Sequence, residues 1–205
     1  MPKIVNPEKK RQFIARAACR VIARKGIAGT TMQDIATEAG VTTGMITNYY
    51  SQKTDIITAA LQIPYDNLER RLTRKIEQGR EDLASLLEEV IPTGKRHYED
   101  SAVWVNFWGL LASDRELRRL NSKLHKQWIQ VYSRALHAAW PEAQHWSEAL
   151  VERTLRAIIT FVFGLSAGGI TNPRVWSAEI QRDQLRLHLE ALRHWANAQN
   201  SEGRK

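Results

Sequence analysis

Residues 40–55, GVTTGMITNYYSQKTD, crowd hydroxyls, amides and aromatic rings together, with Lys53 and Asp55 as their charged side chains. Thr42, Thr43, Thr47, Asn48 and Tyr49 can donate and accept hydrogen bonds without bringing a formal charge. If the run coils into a short helix, Ile46 and Tyr50 fall on one side, and Gly44 and Asn48 fall opposite, flanked by Met45 and Thr47. A small, neutral, hydrogen-bonding helix face suits close approach to base edges in a major groove. A second chemistry is aromatic. Trp104, Phe107, Trp108 and Leu111 recur at spacings of three and four, and Trp128 with Tyr132 repeats the theme. Such faces bury large area in a core or hold a cationic ligand against their rings. Acid–base and metal chemistry find no comparable support. The histidines lack HExxH spacing, and there is no Gly-rich phosphate loop or nucleophile elbow. His97 near Glu99 and Asp100 reads as a polar helix start. Cys19, the single cysteine, reads as core packing on the first helix. No catalytic residue, metal or cofactor is expected.

The elements that must present these residues are helical. From Pro7, Phe13, Ala17 and Val21 lie four apart beside Ile14, Ala18 and Ile22, an apolar stripe with Arg16, Arg20 and Arg24 on another face. Gly26 is placed to end that helix. Thr31 followed by Asp34 matches a capping box at the start of a second helix, whose packing face is Ile35, Ala36 and Ala39. Gly40 can take the positive φ of a tight turn, and Thr42 can cap a third helix through about Tyr49. The spacing Ile35-Ala36-x3-Gly40-Val41-x4-Ile46 therefore predicts a helix-turn-helix: a small residue where the helices cross, a flexible turn, and two apolar plugs in the angle. An ordinary helical hairpin is the bland alternative.

At 205 residues, with 43% hydrophobic and 25% charged residues, the chain has the composition of a globular protein able to bury a core. The first 55 residues carry +5 of the formal +8, concentrated in Lys3, Lys9, Lys10, Arg11, Arg16, Arg20, Arg24 and Lys25. That end can attract phosphates or an acidic surface. The longest nearly apolar run, residues 157–170, is too short and too glycine-rich to span a bilayer, and the N-terminal segment lacks the apolar stretch of a secretory signal. A cytoplasmic protein without a membrane partner is expected.

Residues 30–61, TTMQDIATEAGVTTGMITNYYSQKTDIITAAL, closely resemble the DNA-binding domain of the TetR family of bacterial transcriptional regulators. The resemblance implies an all-α fold: an N-terminal three-helix helix-turn-helix domain over residues 1–51, and a larger helical ligand-binding and dimerisation domain over 52–205, with helix 4 from about 52 to 62 linking them. It implies that Gln33, Thr43, Gly44 and Thr47 face base edges. Thr31, Thr42, Met45, Asn48 and Tyr49 would sit at phosphates or the groove wall, and Lys53 at a phosphate. Thr47 stands where many members have Tyr, and Gln52 occupies a frequent N-cap position, so Ser51 is a candidate cap instead.

Beyond helix 4, Pro64 reads as the start of another amphipathic helix through Tyr65, Leu68, Leu72 and Ile76. Gly79 breaks it, and Leu83 to Val90 make the next. Residues 101–123, SAVWVNFWGLLASDRELRRLNSK, resemble the C-terminal domain of BetI-like members, whose namesake responds to choline. Trp104, Phe107, Trp108, Leu111, Trp128 and Tyr132 are thus candidate effector contacts, with a quaternary ammonium such as choline as one candidate ligand. Leu155, Ile158, Ile159, Val162 and Ser166 lie on one face of a helix whose other face carries Ala157, Phe161 and Leu165, so it is apolar nearly all round, and Leu185, His188, Leu189, Leu192 and Trp195 recur along the last helix. Leu155, Ile158, Ile159, Val162, Leu185, Leu189, Leu192 and Trp195 are expected at a homodimer interface, as the family's four-helix bundle implies. The leading expectation is a homodimeric repressor released from a near-palindromic double-stranded operator by a small molecule. The alternatives are an all-helical enzyme using the aromatic region and a ligand-independent architectural DNA binder.

Overall fold

The computed structural model describes residues 6–79 and 82–202, so Lys3 of the basic N-terminal cluster lies outside the described residues. Nine α-helices and one 3₁₀ turn make up the regular structure of the described part, with no strand there. Contacts divide the chain into two compact units: Met1–Asn67 with Ala102–Asn121, and Leu68–Ser101 with Ser122–Lys205.

In the first unit, α1 (Pro7–Lys25) starts where Asn6 Oδ1 accepts from the Glu8 amide at 2.9 Å, with Pro7 at the first helical position. Ile14, Ala17, Ala18, Val21 and Ile22 are buried, as their spacing requires. Phe13 departs from the expected stripe. It is 44% exposed and lies under the Lys10 ammonium, 5.1 Å from ring centroid to nitrogen. Helix α2 (Met32–Ala39) packs on α1, and the five-residue α3 (Thr43–Thr47) follows. The third helix is shorter than its sequence suggests, because Asn48 and Tyr49 already turn toward α4.

Helix α4 (Lys53–Glu77) corrects two expectations at once. Pro64 lies inside it, so the anticipated break near residue 62 and restart at Pro64 do not occur. Proline in a helix removes one backbone bond and costs about 3 kcal/mol. Here Ile56, Ile57, Ala60 and Leu61 before it, and Tyr65, Leu68 and Leu72 after it, are all buried, and this continuous apolar face holds the helix together. Gly79, at φ 70°, follows its end.

The second unit contains the short α5 (Leu83–Leu87), capped by Asp82, and the start of α6 (Lys95–Leu111). Most of α7 (Arg115–Ala139) belongs here too. Its first amides are met by Asp114 Oδ1 at 2.9 and 3.0 Å. A 3₁₀ turn, Pro141–His145, leads to α8 (Glu148–Thr171), capped by Ser147, and α9 (Ala178–Glu202) packs along it. By length and composition α8 meets the requirement for a membrane span, but Leu155, Ile158, Ile159, Val162 and Leu165 are buried within the protein. A half-buried charge cluster ties α4, α5 and α6. Glu89 meets Arg71 at 2.9 Å, Lys75 at 2.7 Å and His97 Nε2 at 3.1 Å, while Arg71 also reaches Asp100 at 3.0 Å. Contact with His97, reinforced by Lys75, holds the Glu89 carboxyl down to about 2. His97 and Asp100 are thereby both members of this ion-pair cluster.

Candidate nucleic-acid interface and the helical body

The turn between α2 and α3 has the geometry that its residues demand. Gly40 sits at φ 63°, ψ 38°, in the left-handed region that a side chain disfavours. Its amide donates to Thr37 O at 3.2 Å, and the Val41 amide donates to Ala36 O at 3.0 Å, closing the helix end. At the other end of α2 the capping box is complete. The Asp34 amide donates to Thr31 Oγ1 at 3.1 Å, and the Thr31 amide donates to Asp34 Oδ2 at 3.0 Å. Thr42 Oγ1 caps α3 by accepting from the Met45 amide at 3.1 Å.

Ile46 is fully buried and Tyr50 is 4% exposed, which fixes the roll of α3. Tyr50 is anchored further by its hydroxyl, which donates to Arg11 O at 2.9 Å, while the Arg11 guanidinium lies over its ring. Burial raises the Tyr50 hydroxyl's pKa and keeps it a donor. With Ile46 and Tyr50 turned inward, Thr42, Gly44, Met45, Thr47 and Asn48 are exposed, and Thr43 and Tyr49 are half-buried. Gln33 on α2 and its N-cap Thr31 are exposed as well, and Lys53 stands half-buried as the first residue of α4. The candidate groove residues are thereby on the accessible surface of one compact unit. Thr47 has one difference from a free hydroxyl: its Oγ1 donates to Gly44 O at 3.0 Å. At the start of α4, Asp55 Oδ2 accepts from the Gln52 amide at 3.2 Å and from Ser51 Oγ at 3.0 Å. The side chain of Asp55, rather than that of Ser51, thus meets the helix-start amide.

Charge at the head is organised differently from a bare count. Arg20 and Arg24 both grip Glu38 at 2.6 Å, and Lys25 grips Asp34 at 2.6 Å. These pairs hold Glu38 below the usual carboxylate range and Asp34 at about 2. The pairs are at the surface, so their role is to fix the α1–α2 crossing more than to add stability. Lys9, Arg11 and Arg16 remain exposed cations on α1, and the net field of the head stays positive.

In the first unit, Trp104 and Phe107 are buried on α6 with ring centroids 5.6 Å apart and planes at 83°, and Trp108 lies 6.4 Å from Trp104. Trp108 and Leu111 are half-buried. On α7, Trp128 and Tyr132 are buried with centroids 6.1 Å apart. The Tyr132 hydroxyl is enclosed and meets no hydrogen-bond partner, and burial pushes its pKa far up. An uncharged donor without an acceptor is costly, about 1–3 kcal/mol.

The α8–α9 pair separates the expected interface residues. Leu155, Ile158, Ile159, Val162, Leu185 and Leu189 are buried within the chain, whereas Leu192 and Trp195 are half-buried. A groove of about 800 Å³ opens on the other face, lined by Arg153, Ala157, Phe161, Gly164, Leu192 and Trp195, among others. Ala157 and Phe161, on the second apolar face of α8, thus line the groove. Trp176, a groove residue outside both helices, was missed; a lone aromatic just after a proline-containing loop was its signal.

Comparison with known proteins agrees with this architecture. Residues 79–194 match the profile described as BetI-type transcriptional repressor, C-terminal, and residues 14–60 match that of bacterial regulatory proteins, tetR family. HTH-type transcriptional regulator PksA of Bacillus subtilis is 29% identical over 110 residues, 52% of this chain, which spans only about half of PksA (54%). HTH-type transcriptional regulator BetI of Burkholderia cenocepacia is 27% identical over 150 residues, 68% of this chain and 76% of that protein. Among solved structures, a regulator from Saccharomonospora viridis in complex with choline is similar at a TM-score of 0.74 and 22% identity, covering 89% of this chain and 96% of that one. A tetR-family transcriptional regulator from Streptomyces coelicolor is similar at 0.74 and 19% identity, covering 97% and 86%. At these identities the structural likeness concerns the fold.

Proposed function

The chain belongs to the TetR family of bacterial transcriptional regulators and carries a BetI-type C-terminal domain, and we propose that it acts as a cytoplasmic homodimeric repressor released from DNA by a small molecule. The single observation that carries the DNA reading is the roll of α3. Burial of Ile46 and Tyr50 turns a neutral face of Gly44, Thr47 and Asn48 outward, flanked by Thr42, Thr43, Met45 and Tyr49. Gln33 and the hydroxyls then read base edges, while Thr31, Lys53 and the exposed cations of α1 meet phosphates. Phosphate contacts supply salt-dependent affinity, and the few groove residues supply sequence preference.

The proposed division is a head through residue 51 and an effector and dimerisation body from 52 onward. For the homodimer, the α8–α9 groove of about 800 Å³ supports a second copy of the chain as its occupant, because it is apolar, exposed, and formed by two long helices able to complete a four-helix bundle. Half-buried Leu192 and Trp195 stay in this proposed interface, together with Phe161. The six buried members of the expected set support it from beneath.

For the effector, Trp104, Phe107, Trp108, Leu111, Trp128 and Tyr132 remain the proposed contacts. The unpartnered hydroxyl of Tyr132 supports a ligand with a hydrogen-bonding group, and choline, the compound bound in the Saccharomonospora viridis relative, is the first compound to try. Burial of Trp104, Phe107, Trp128 and Tyr132 gives the ligand-independent reading its own support, since a filled core needs no effector. An effector shifts the protein off DNA only if it binds the non-binding conformation better. Calorimetry with choline and betaine aldehyde, beside a mobility-shift assay on a duplex selected from random DNA, decides among these. Heat with loss of the shift supports the ligand-released repressor. Sequence-preferred binding without heat removes the choline version, and no preferred sequence removes the repressor reading.

A further inference from the structure

The α8–α9 groove contains one titrating ring in a lining that is mostly apolar, with Thr160 and Gln184 as neutral polar groups and two arginines. His188 of α9 lies flat on Phe161 of α8, with ring centroids 3.9 Å apart and planes 7° from parallel. Its Nε2 is enclosed and has no hydrogen-bond partner, while the Ala157 backbone provides the ring's hydrogen bond. The other ionisable groups lining the groove are Arg153 and Arg156 of α8, both cations. Arg153 lies over the Trp195 ring at 4.9 Å, and Arg156 is paired with Glu152. On α9 itself, the positions three and four residues from His188 are Gln184, Leu185, Ala191 and Leu192, none of which ionises. The connection before α9 contributes Trp176. Helix α5 also packs on α9, and its flanking Glu88 is engaged by Arg182 at 3.3 Å and Arg186 at 3.5 Å. No carboxylate lines the groove to compensate an imidazolium at position 188.

We propose that His188 is a proton-sensitive element of the subunit interface: the groove accepts a second copy of the chain when the ring is neutral and rejects it when the ring is charged. This inference rests on the dimer reading above and adds a regulation to it. A covered imidazolium would lose its water without gaining a counter-charge, and two-fold symmetry would bring two such rings into one interface beside four arginines. The ring therefore works as a packing group, stacked on Phe161, only while it is neutral.

The sign of the effect follows from linkage. In the free chain burial already lowers the His188 pKa below its ordinary 6.5. Covering the groove removes more water and lowers it further. Well above that value both states are neutral and association has its full strength. As the pH falls through the pKa of the free subunit, the separated chains take up protons that the dimer does not, and the dissociation constant rises. With up to two protons per dimer, the limiting rise is about 100-fold per pH unit.

Sedimentation equilibrium of the full chain at pH 7.5 and 5.5 tests this, with circular dichroism at each pH to confirm the fold. The expected result is at least a tenfold rise in the dimer dissociation constant on acidification. His188→Gln, which stays polar, and His188→Phe, which keeps the stack on Phe161, should both reduce that rise to twofold or less. A wild-type dimer whose affinity does not change with pH overturns the proposal, as does an undiminished rise in both variants. A chain that is monomeric at pH 7.5 and micromolar concentration refutes the dimer reading on which the proposal rests, so the two failures are distinguishable.

Discussion

Replacing Gly44 by alanine separates the folding of α3 from its use. A Cβ built at Gly44 would meet only Thr42 Oγ1, at 3.9 Å, an ordinary contact distance. Within the protein the change is therefore free of steric cost, and a helical glycine gives up roughly 0.5–1 kcal/mol relative to alanine. For a chain of this size that corresponds to a rise in Tm of about 2 °C. On DNA the same methyl group projects from the face opposite buried Ile46, where the helix must come close to base edges. Loss of a well-fitted groove contact costs about 1–3 kcal/mol. With two heads engaged, the dissociation constant should rise at least about 30-fold. Thermal melting and fluorescence anisotropy on a selected duplex read the two effects side by side. Affinity unchanged within twofold would refute the groove-facing assignment of α3, and a Tm lowered by several degrees would refute the claim that the position is sterically open.

Four further outcomes follow from the same structure. Thr31→Ala removes the acceptor for the Asp34 amide and should cost about 1 kcal/mol in urea unfolding, while Thr31→Ser restores most of it. Thr47→Tyr replaces a hydroxyl turned back on Gly44 O by a longer aromatic donor; selection from random DNA should then return a changed consensus in each half-site. Glu89, held at about 2 in the folded protein against an ordinary 4.5, contributes stability that is present above about pH 5 and lost as the pH falls toward 2. That contribution is on the order of 3 kcal/mol, and Glu89→Gln should flatten this acid limb of the stability profile. Phe161→Glu places a charge in the α8–α9 groove and should yield a folded monomer by light scattering, where a persisting dimer would remove the groove from the interface.

Local chemistry with short range was the most readable part of the sequence. Thr31 and Asp34 announce a capping box, Gly40 a left-handed turn, and Ile46 with Tyr50 a buried side, and each is found as such. The combination of a capped α2, a glycine turn and a neutral α3 face was legible because every member lies within twenty residues of the others. Pro64 misled for a physical reason: local propensity opposes a proline in mid-helix, but the buried apolar residues on both sides of it outweigh that cost. The pairing of Arg20 and Arg24 with Glu38 could not be read from charge counts, since it depends on how α1 crosses α2. Which face of α8 stays accessible was ambiguous because the helix is apolar on both sides. Only tertiary packing separates Leu155, Ile158 and Val162, which are buried, from Ala157 and Phe161, which line a groove.

Hydroxyl-radical footprinting of the wild-type protein on its selected duplex tests the central claim most directly. Two chains presenting α3 to successive major grooves predict a near-palindrome protected in two patches on one face of the duplex, centred about 34–36 Å or 10–10.5 base pairs apart. A single protected patch, or uniform weak protection without a preferred sequence, would contradict the account.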